Sequence, residues 1–423
     1  MMPATGTFND NYCKVLTLDD GNGGLLALVT LDVIGSDTTM NQLVLEALEV
    51  AGSKFNLENV IFTGSHTHSG PGAVSPRLLW ALAPATDLLV EEVQAEFVKN
   101  IAATILEAEA AMEPATMDIG IEQVKNLTVN RIAKDIPWLE IDDIDPNMAV
   151  IGVNKADGSV LATVFNLAFH SVCYGPSNMK MSADLAGAAQ RAIEDAIGGV
   201  GLYINADAGD IDPARGQIVN GKALPDMCAG GTETSDDFAG GKLLAERVVA
   251  ARAKLSPTAD ATLTTAFQAT TFGPTAMNLT LGRIGNCTKG GPLDVCSFCK
   301  FLDCSANLHL DGNWVDGAAP LWYSGVLFNV NGKKIPAVTF PGELLSTPGN
   351  EVRAAAKEMG FADGMAIFGY SQAHAGYFVS QRVYDYSGAP DLYESQLDFW
   401  GQLESHSLVL PPALDILKEL STK

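Results

Sequence analysis

The chain reads as an α/β protein of layered mixed β-sheets flanked by helices, and three observations predict it. Strand-like and helix-like apolar patterns alternate through most of its length. Apolar residues make up 47% of the 423 residues, with a mean hydropathy of +0.14, enough to bury a sizeable core. Several predicted strands run out into polar residues that an ordinary core would not want.

Residues 12–18 and 25–31, joined by Asp19-Asp20-Gly21-Asn22-Gly23-Gly24, predict a hairpin. A helix over 38–50 follows and stops at Gly52, the residue that most easily takes the left-handed helix-ending conformation. An apolar strand from Val60 then runs into the glycine-rich stretch Gly64-Ser65-His66-Thr67-His68-Ser69-Gly70-Pro71-Gly72. Between 88 and 112, Val90, Val93, Phe97, Ile101, Ile105, Ala108 and Met112 form one stripe of an amphipathic helix ended by Pro114. A second hairpin, 149–153 and 160–170, turns through Asn154-Lys155-Ala156-Asp157-Gly158 and delivers His170 at a strand end. Residues 184–197 predict a helix closed by Gly198-Gly199, 201–206 a strand, and 232–255 a mainly helical segment. Residues 285–320, rich in Gly, Cys and Asn, are the expected excursion from the core. Strands are expected at 325–330, 335–340 and 365–369, with a helix over 345–359. No repeat or linker divides the chain, so residues 1–423 are expected to form a single domain.

Charge narrows the partners. Lysine and arginine number 26 against 50 acidic residues, a net charge of −24 that repels phosphate backbones and anionic bilayers, so no nucleic-acid partner is expected. No apolar run approaches the roughly 18–20 residues of a transmembrane segment, and Met1-Met2-Pro3-Ala4 lacks the basic and apolar regions of an export signal. Among seven cysteines, Cys287, Cys296, Cys299 and Cys304 crowd together. Their spacing suits two local disulfides in an exported protein better than the ligands of a structural zinc. A secreted or extracytoplasmic location is the expectation. Asn126-Leu127-Thr128, Asn278-Leu279-Thr280 and Asn286-Cys287-Thr288 match the glycosylation sequon, a pattern common by chance.

Only six histidines occur, and two are His66 and His68. Residues two apart on a strand project to one face, so both can enter one pocket. His170 ends another expected strand, Asp207, Asp210 and Asp212 a third, Glu343 a fourth, and His374 and Tyr377 a fifth. Ligands of α/β sheets bind beyond the carboxyl ends of strands, where these groups can meet. His66, His170 and Glu343 make a two-histidine, one-carboxylate set that suits a catalytic zinc. Taken singly, His170 fits a hydrogen-bonded core histidine better than a ligand, and Glu343 fits the first-turn acid of the following helix. Asp207-Ala208-Gly209-Asp210-Ile211-Asp212 has calcium-loop spacing but lacks the later glutamate. Spacing alone leaves the metal site open.

The segment Gly64–Gly72 resembles the G-[TS]-H-T-H-S-G-P-G motif of the neutral, alkaline, non-lysosomal ceramidases. Further matches follow in the family's order: Asn126-Leu127-Thr128-Val129-Asn130-Arg131, Phe169-His170-Ser171, Asn205-Ala206-Asp207-Ala208-Gly209-Asp210-Ile211-Asp212-Pro213, Pro341-Gly342-Glu343 and Ala375-Gly376-Tyr377. The resemblance runs roughly from Cys13 to Gly401, the family's catalytic domain, without its C-terminal β-sandwich. It implies zinc (Zn2+) held by His66, His170, Glu343 and Tyr377, with His68, Arg131, Asp212 and Tyr393 in the pocket as catalytic residues. The implied activity is hydrolysis of the N-acyl bond of ceramide, giving sphingosine and fatty acid, by a water that zinc activates. On that reading His68 protonates the departing amine and Arg131 steadies the oxyanion.

Two departures bear on the substrate. Aspartate occupies position 212, where the family carries a serine, and His374 stands where the family usually has a tyrosine. A carboxylate can orient or deprotonate water but cannot act as a hydroxyl nucleophile does. The alternatives are therefore a zinc hydrolase of another soluble amide or ester, and a catalytically lapsed metal-binding homologue. The expected partner is a small-molecule or lipid N-acyl substrate.

Overall fold

The computed structural model describes residues 4–77, 88–232, 234–270, 278–279, 308–309, 321–386, 392–396 and 401–423. Its first sheet joins β1 (Cys13–Asp19), β2 (Leu25–Leu31) and β3 (Val60–Gly64) in that order. The expected β1–β2 hairpin is antiparallel, and β3 lies parallel to β2 after the crossover through α1 (Thr38–Ala51). Helix α1 starts at Asp37, whose side chain accepts from the Met40 N–H, and ends at Gly52 in the left-handed conformation, φ 75°. Helix α2 (Glu91–Ala110) packs beside it.

The second sheet is built from β4 (Ala115–Gln123), β6 (Asn147–Lys155), β7 (Val160–Leu167) and β8 (Val200–Asn205), with the short β5 (Thr128–Asn130) lying outside it. Its order is β8-β7-β6-β4, with β7 and β8 parallel and linked through α3 (Asp184–Ile197). A short β9 (Ile211–Pro213) pairs antiparallel with β5, setting Asp212 opposite Val129. Helix α4 (Ala239–Arg252) is shorter than the 232–255 expected. The Cys173–Cys228 disulfide and a set of turns occupy the approach to it.

The third sheet runs β10-β11-β12-β14, from β10 (Thr262–Thr270), β11 (Leu321–Val330), β12 (Lys333–Thr339) and β14 (Ala366–Phe368). Between β12 and β14 lie β13 (Glu343–Leu344) and α5 (Ser346–Glu358); β15 (Tyr377–Phe378) follows and pairs with β13, and α6 (Gly401–Ser421) closes the chain. The four clustered cysteines and most of the 285–320 excursion lie outside the described residues, as do Thr280 of the second sequon and the whole of the third.

Period-2 alternation explains how the sheets assemble. Leu26 and Leu28 of β2, Ile151 and Val153 of β6, and Val326 and Phe328 of β11 point into one core shared by the three sheets. Alternate residues point outward onto helices: Val29 and Leu31 meet Val44 and Leu48 of α1, Val150 joins Leu185 and Leu244, and Leu327 joins Val352 and Ile416. Each such fully buried side chain contributes about 1.5–3 kcal/mol of burial free energy. The expected layered α/β class is the architecture found. Among the described residues no helix is long and apolar enough to cross a membrane.

Candidate metal centre

Five chain segments leave the carboxyl ends of β3, β7, β8, β12 and β14 on the same side of the molecule, and four of them bring histidine or glutamate side chains together. After β3 the chain turns sharply: a Cβ on Gly64 would come within 2.7 Å of the Gly35 backbone, and His66 takes a left-handed φ of 59°. His66 and His68 therefore share a pocket through a loop rather than through strand alternation. The loop is zipped to the one after β7 by a Thr67–Ser171 bridge and a hydrogen bond from His68 N to Ser171 O. His170, in that second loop, donates its backbone N–H to Ile211 O at 2.9 Å. Glu343 sits opposite Tyr377 in the β13–β15 pair, and its N–H donates to Gly376 O at 2.9 Å. It precedes α5 and faces the imidazoles, so it is not a first-turn helix acid.

The donor atoms converge. Glu343 Oε2 lies 3.2 Å from His66 Nε2 and 3.2 Å from His170 Nε2, and Glu343 Oε1 lies 3.3 Å from His374 Nε2. His68 Nε2 is 3.2 Å from His66 Nε2. His66, His170, Glu343 and His374 are all buried. Burial lowers the His66 imidazole to about 4 and holds His68 well below its ordinary range, so both are neutral near pH 7. Burial opposes ionisation of Glu343, but the surrounding imidazoles, His66 foremost, outweigh it and keep the carboxyl well below its usual value.

Proton accounting shows what this arrangement asks for. His66 Nδ1 lies 2.7 Å from the Ile34 carbonyl, which can only accept, so Nδ1 carries the proton and Nε2 offers a lone pair. That lone pair faces a carboxylate oxygen at 3.2 Å, two acceptors turned toward each other. A buried carboxylate with the His66 lone pair turned toward it is costly without a cation between them. Donors bound tetrahedrally at about 2.0–2.1 Å stand about 3.3–3.4 Å apart, and imidazole nitrogen with carboxylate oxygen is a zinc-type set. The observed separations fit. His66, His68 and His170, and likewise His66, Glu343 and His374, place their donor atoms within 4.8 Å of one another.

The remaining expected residues form a second group alongside. Tyr377 places its hydroxyl 3.5 Å from His170 Nε2 and accepts from Arg131 Nη2 at 3.0 Å. Arg131 donates from Nε to Glu394 at 2.7 Å, from Nη1 to Asp212 at 3.1 Å, and from Nη2 to Gly209 O at 2.8 Å. Asp212 is thus paired with Arg131. Tyr393 lies edge-on to Tyr377, ring centroids 5.7 Å apart, and is 40% exposed. Two residues outside the expected set belong here. His374 has the signal of a polar residue at the fifth strand end; Glu394, beside Tyr393, has none, because its partner Arg131 is distant in sequence.

The family described as neutral/alkaline non-lysosomal ceramidase, N-terminal, matches residues 3–304. The chain belongs to the neutral ceramidase family. The neutral ceramidase of Pseudomonas aeruginosa is 27% identical over 169 residues, 38% of this chain and 25% of that protein. Neutral ceramidase B of Dictyostelium discoideum is 26% identical over 216 residues, 49% of this chain and 29% of that protein. These matches span only a quarter to under a third of the length of either ceramidase. The crystal structure of the Pseudomonas aeruginosa neutral ceramidase superposes with a TM-score of 0.71 at 18% identity, covering 99% of this chain and 74% of that one. At that identity the likeness is one of fold.

Proposed function

We propose that the chain is a zinc-dependent amidohydrolase of the neutral ceramidase type that cleaves the N-acyl bond of a ceramide-like lipid. The observation that carries this reading is the meeting of His66, His170 and Glu343 at 3.2 Å in a charge state that calls for a cation. His66, His170 and Glu343 would hold the ion, with the Tyr377 hydroxyl beside them. When bound, zinc supplies Lewis-acid polarisation of an acyl carbonyl and brings the pKa of water toward about 7.

The chain's own residues supply the rest. His68, neutral and only partly buried at the pocket mouth, takes a proton and returns it to the departing amine. Arg131 spends four of its five N–H groups on Glu394, Asp212, Gly209 and Tyr377 among the described residues. It therefore holds Tyr377 and Asp212 in place and keeps one Nη1–H for an oxyanion. Tyr393, half-exposed beside Tyr377, lines the entrance for the substrate. Asp212 supports a second reading of the substrate. Its carboxylate, 33% exposed and tied to Arg131, puts negative charge where a family serine stands, which favours an amide or ester bearing a hydrogen-bond donor or cation over a purely lipidic one. The Cys173–Cys228 disulfide supports an oxidising, extracytoplasmic location.

Zinc content and fatty acid release from N-acylsphingosine, measured on wild type and His66→Ala, test the proposal. Wild type is expected to hold one zinc and turn over, and the variant to lose both. Equal zinc in the two proteins would overturn the ligand assignment; release from short N-acyl amines or esters but not from N-acylsphingosine would select the second reading.

A further inference from the structure

The two oxygens of Glu343 have separate neighbours. Oε2 faces His66 and His170, while Oε1 faces only the His374 imidazole among these groups, 3.3 Å away. The terminal torsion of a glutamate is broad and two-fold, so nothing intrinsic to the residue fixes the plane in which its two equivalent oxygens lie. The His374 ring is itself fixed. A Cβ on Gly35 would come within 2.7 Å of its Cβ and Cδ2, so the ring lies flat on a backbone that only glycine leaves open. The neighbouring Ile34 carbonyl holds His66 Nδ1, so one short segment orients both histidines. His374 does not converge with His66 as the other imidazoles do. Its ring lies nearly parallel, at 6.0 Å and 23°, whereas His68 and His170 meet His66 edge-on at 4.7 and 4.6 Å.

We propose that His374 is a positioning residue: its Nε2–H donates to one Glu343 oxygen and thereby fixes the carboxylate plane so that the other oxygen faces His66 and His170. The proposal rests on the zinc reading above and assigns His374 outside the ligand set. Partners that orient ligands in this way change metal affinity by about 10–100-fold when removed.

The test uses the full chain as wild type, His374→Ala, His374→Phe, His374→Gln and His66→Ala. Zinc affinity is measured by competition with a chelating chromophore, and the number of imidazole ligands by X-ray absorption at the zinc edge. His374→Ala and the space-filling His374→Phe are expected to bind zinc about 10–100-fold more weakly with the imidazole count unchanged. His374→Gln, which keeps an N–H donor, is expected to recover most of the affinity. Affinity equal to wild type in whichever of the alanine and phenylalanine variants folds would overturn the proposal, as would a count lower by one imidazole or no recovery with glutamine. Wild type that takes up no zinc, or His66→Ala that binds it normally, instead refutes the metal reading, so the two failures are told apart.

Discussion

A single proton decides how the His66 side chain is read. Because Ile34 O takes the Nδ1 proton, the Nε2 lone pair is left facing a carboxylate, and this is invisible in the sequence. The sequence did show which residue types stand at strand ends: His66, His68, His170, Glu343 and Tyr377 were all legible there, and all converge. Arg131 and Asp212 were legible as pocket residues but not as each other's partners. Away from the site, Asp207 offers a pH-dependent prediction. Burial, against the pull of Arg353 and with the push of Asp145, raises its carboxyl from 3.8 to about 7. The unfolded chain therefore ionises this group first, and its contribution to stability falls as pH rises from about 4 to about 7. Thermal melts of Asp207→Asn across that range are expected to decline less than those of wild type. A parallel decline would mean that Asp207 is ionised throughout.

Elements were legible where local signals agree with the fold. Helix α1 with its Gly52 terminus, helix α3 and the β6–β7 hairpin fall within a few residues of expectation. Strand β4 was missed because a buried aspartate, Asp118, interrupts its apolar pattern, and the groups that satisfy it include Ser256 N–H and Lys333 Nζ, both more than a hundred residues away. Helix α6 was hidden by Pro411 and Pro412, which ordinarily forbid a helix interior. Here Leu410, Ala413, Ile416, Leu417 and Leu420 bury against the third sheet and outweigh that cost. The loop carrying His170 is tied to the approach to α4 by the Cys173–Cys228 disulfide, which spans 55 residues. A loop of that length predicts about 4 kcal/mol of stabilisation from the unfolded chain's lost entropy. Denaturant unfolding of Cys228→Ser should show a loss of that order relative to wild type; a variant as stable as wild type would remove the disulfide from the account.

At the scale of the molecule, three sheets share one core, and their strands deliver polar residues to the same side. Residues from 66 to 377 meet only because β3, β7, β12 and β14 end there, a convergence that order along the chain implies and packing accomplishes. The surplus of negative charge, −24 overall, gives the molecule a field that draws cations toward such a site. Anomalous diffraction at the zinc absorption edge, from crystals of wild type grown with zinc, tests this convergence most directly. The account predicts a peak bonded to His66 Nε2, His170 Nε2 and Glu343 Oε2. No peak there, or zinc bound only at Cys287, Cys296, Cys299 and Cys304, would contradict it.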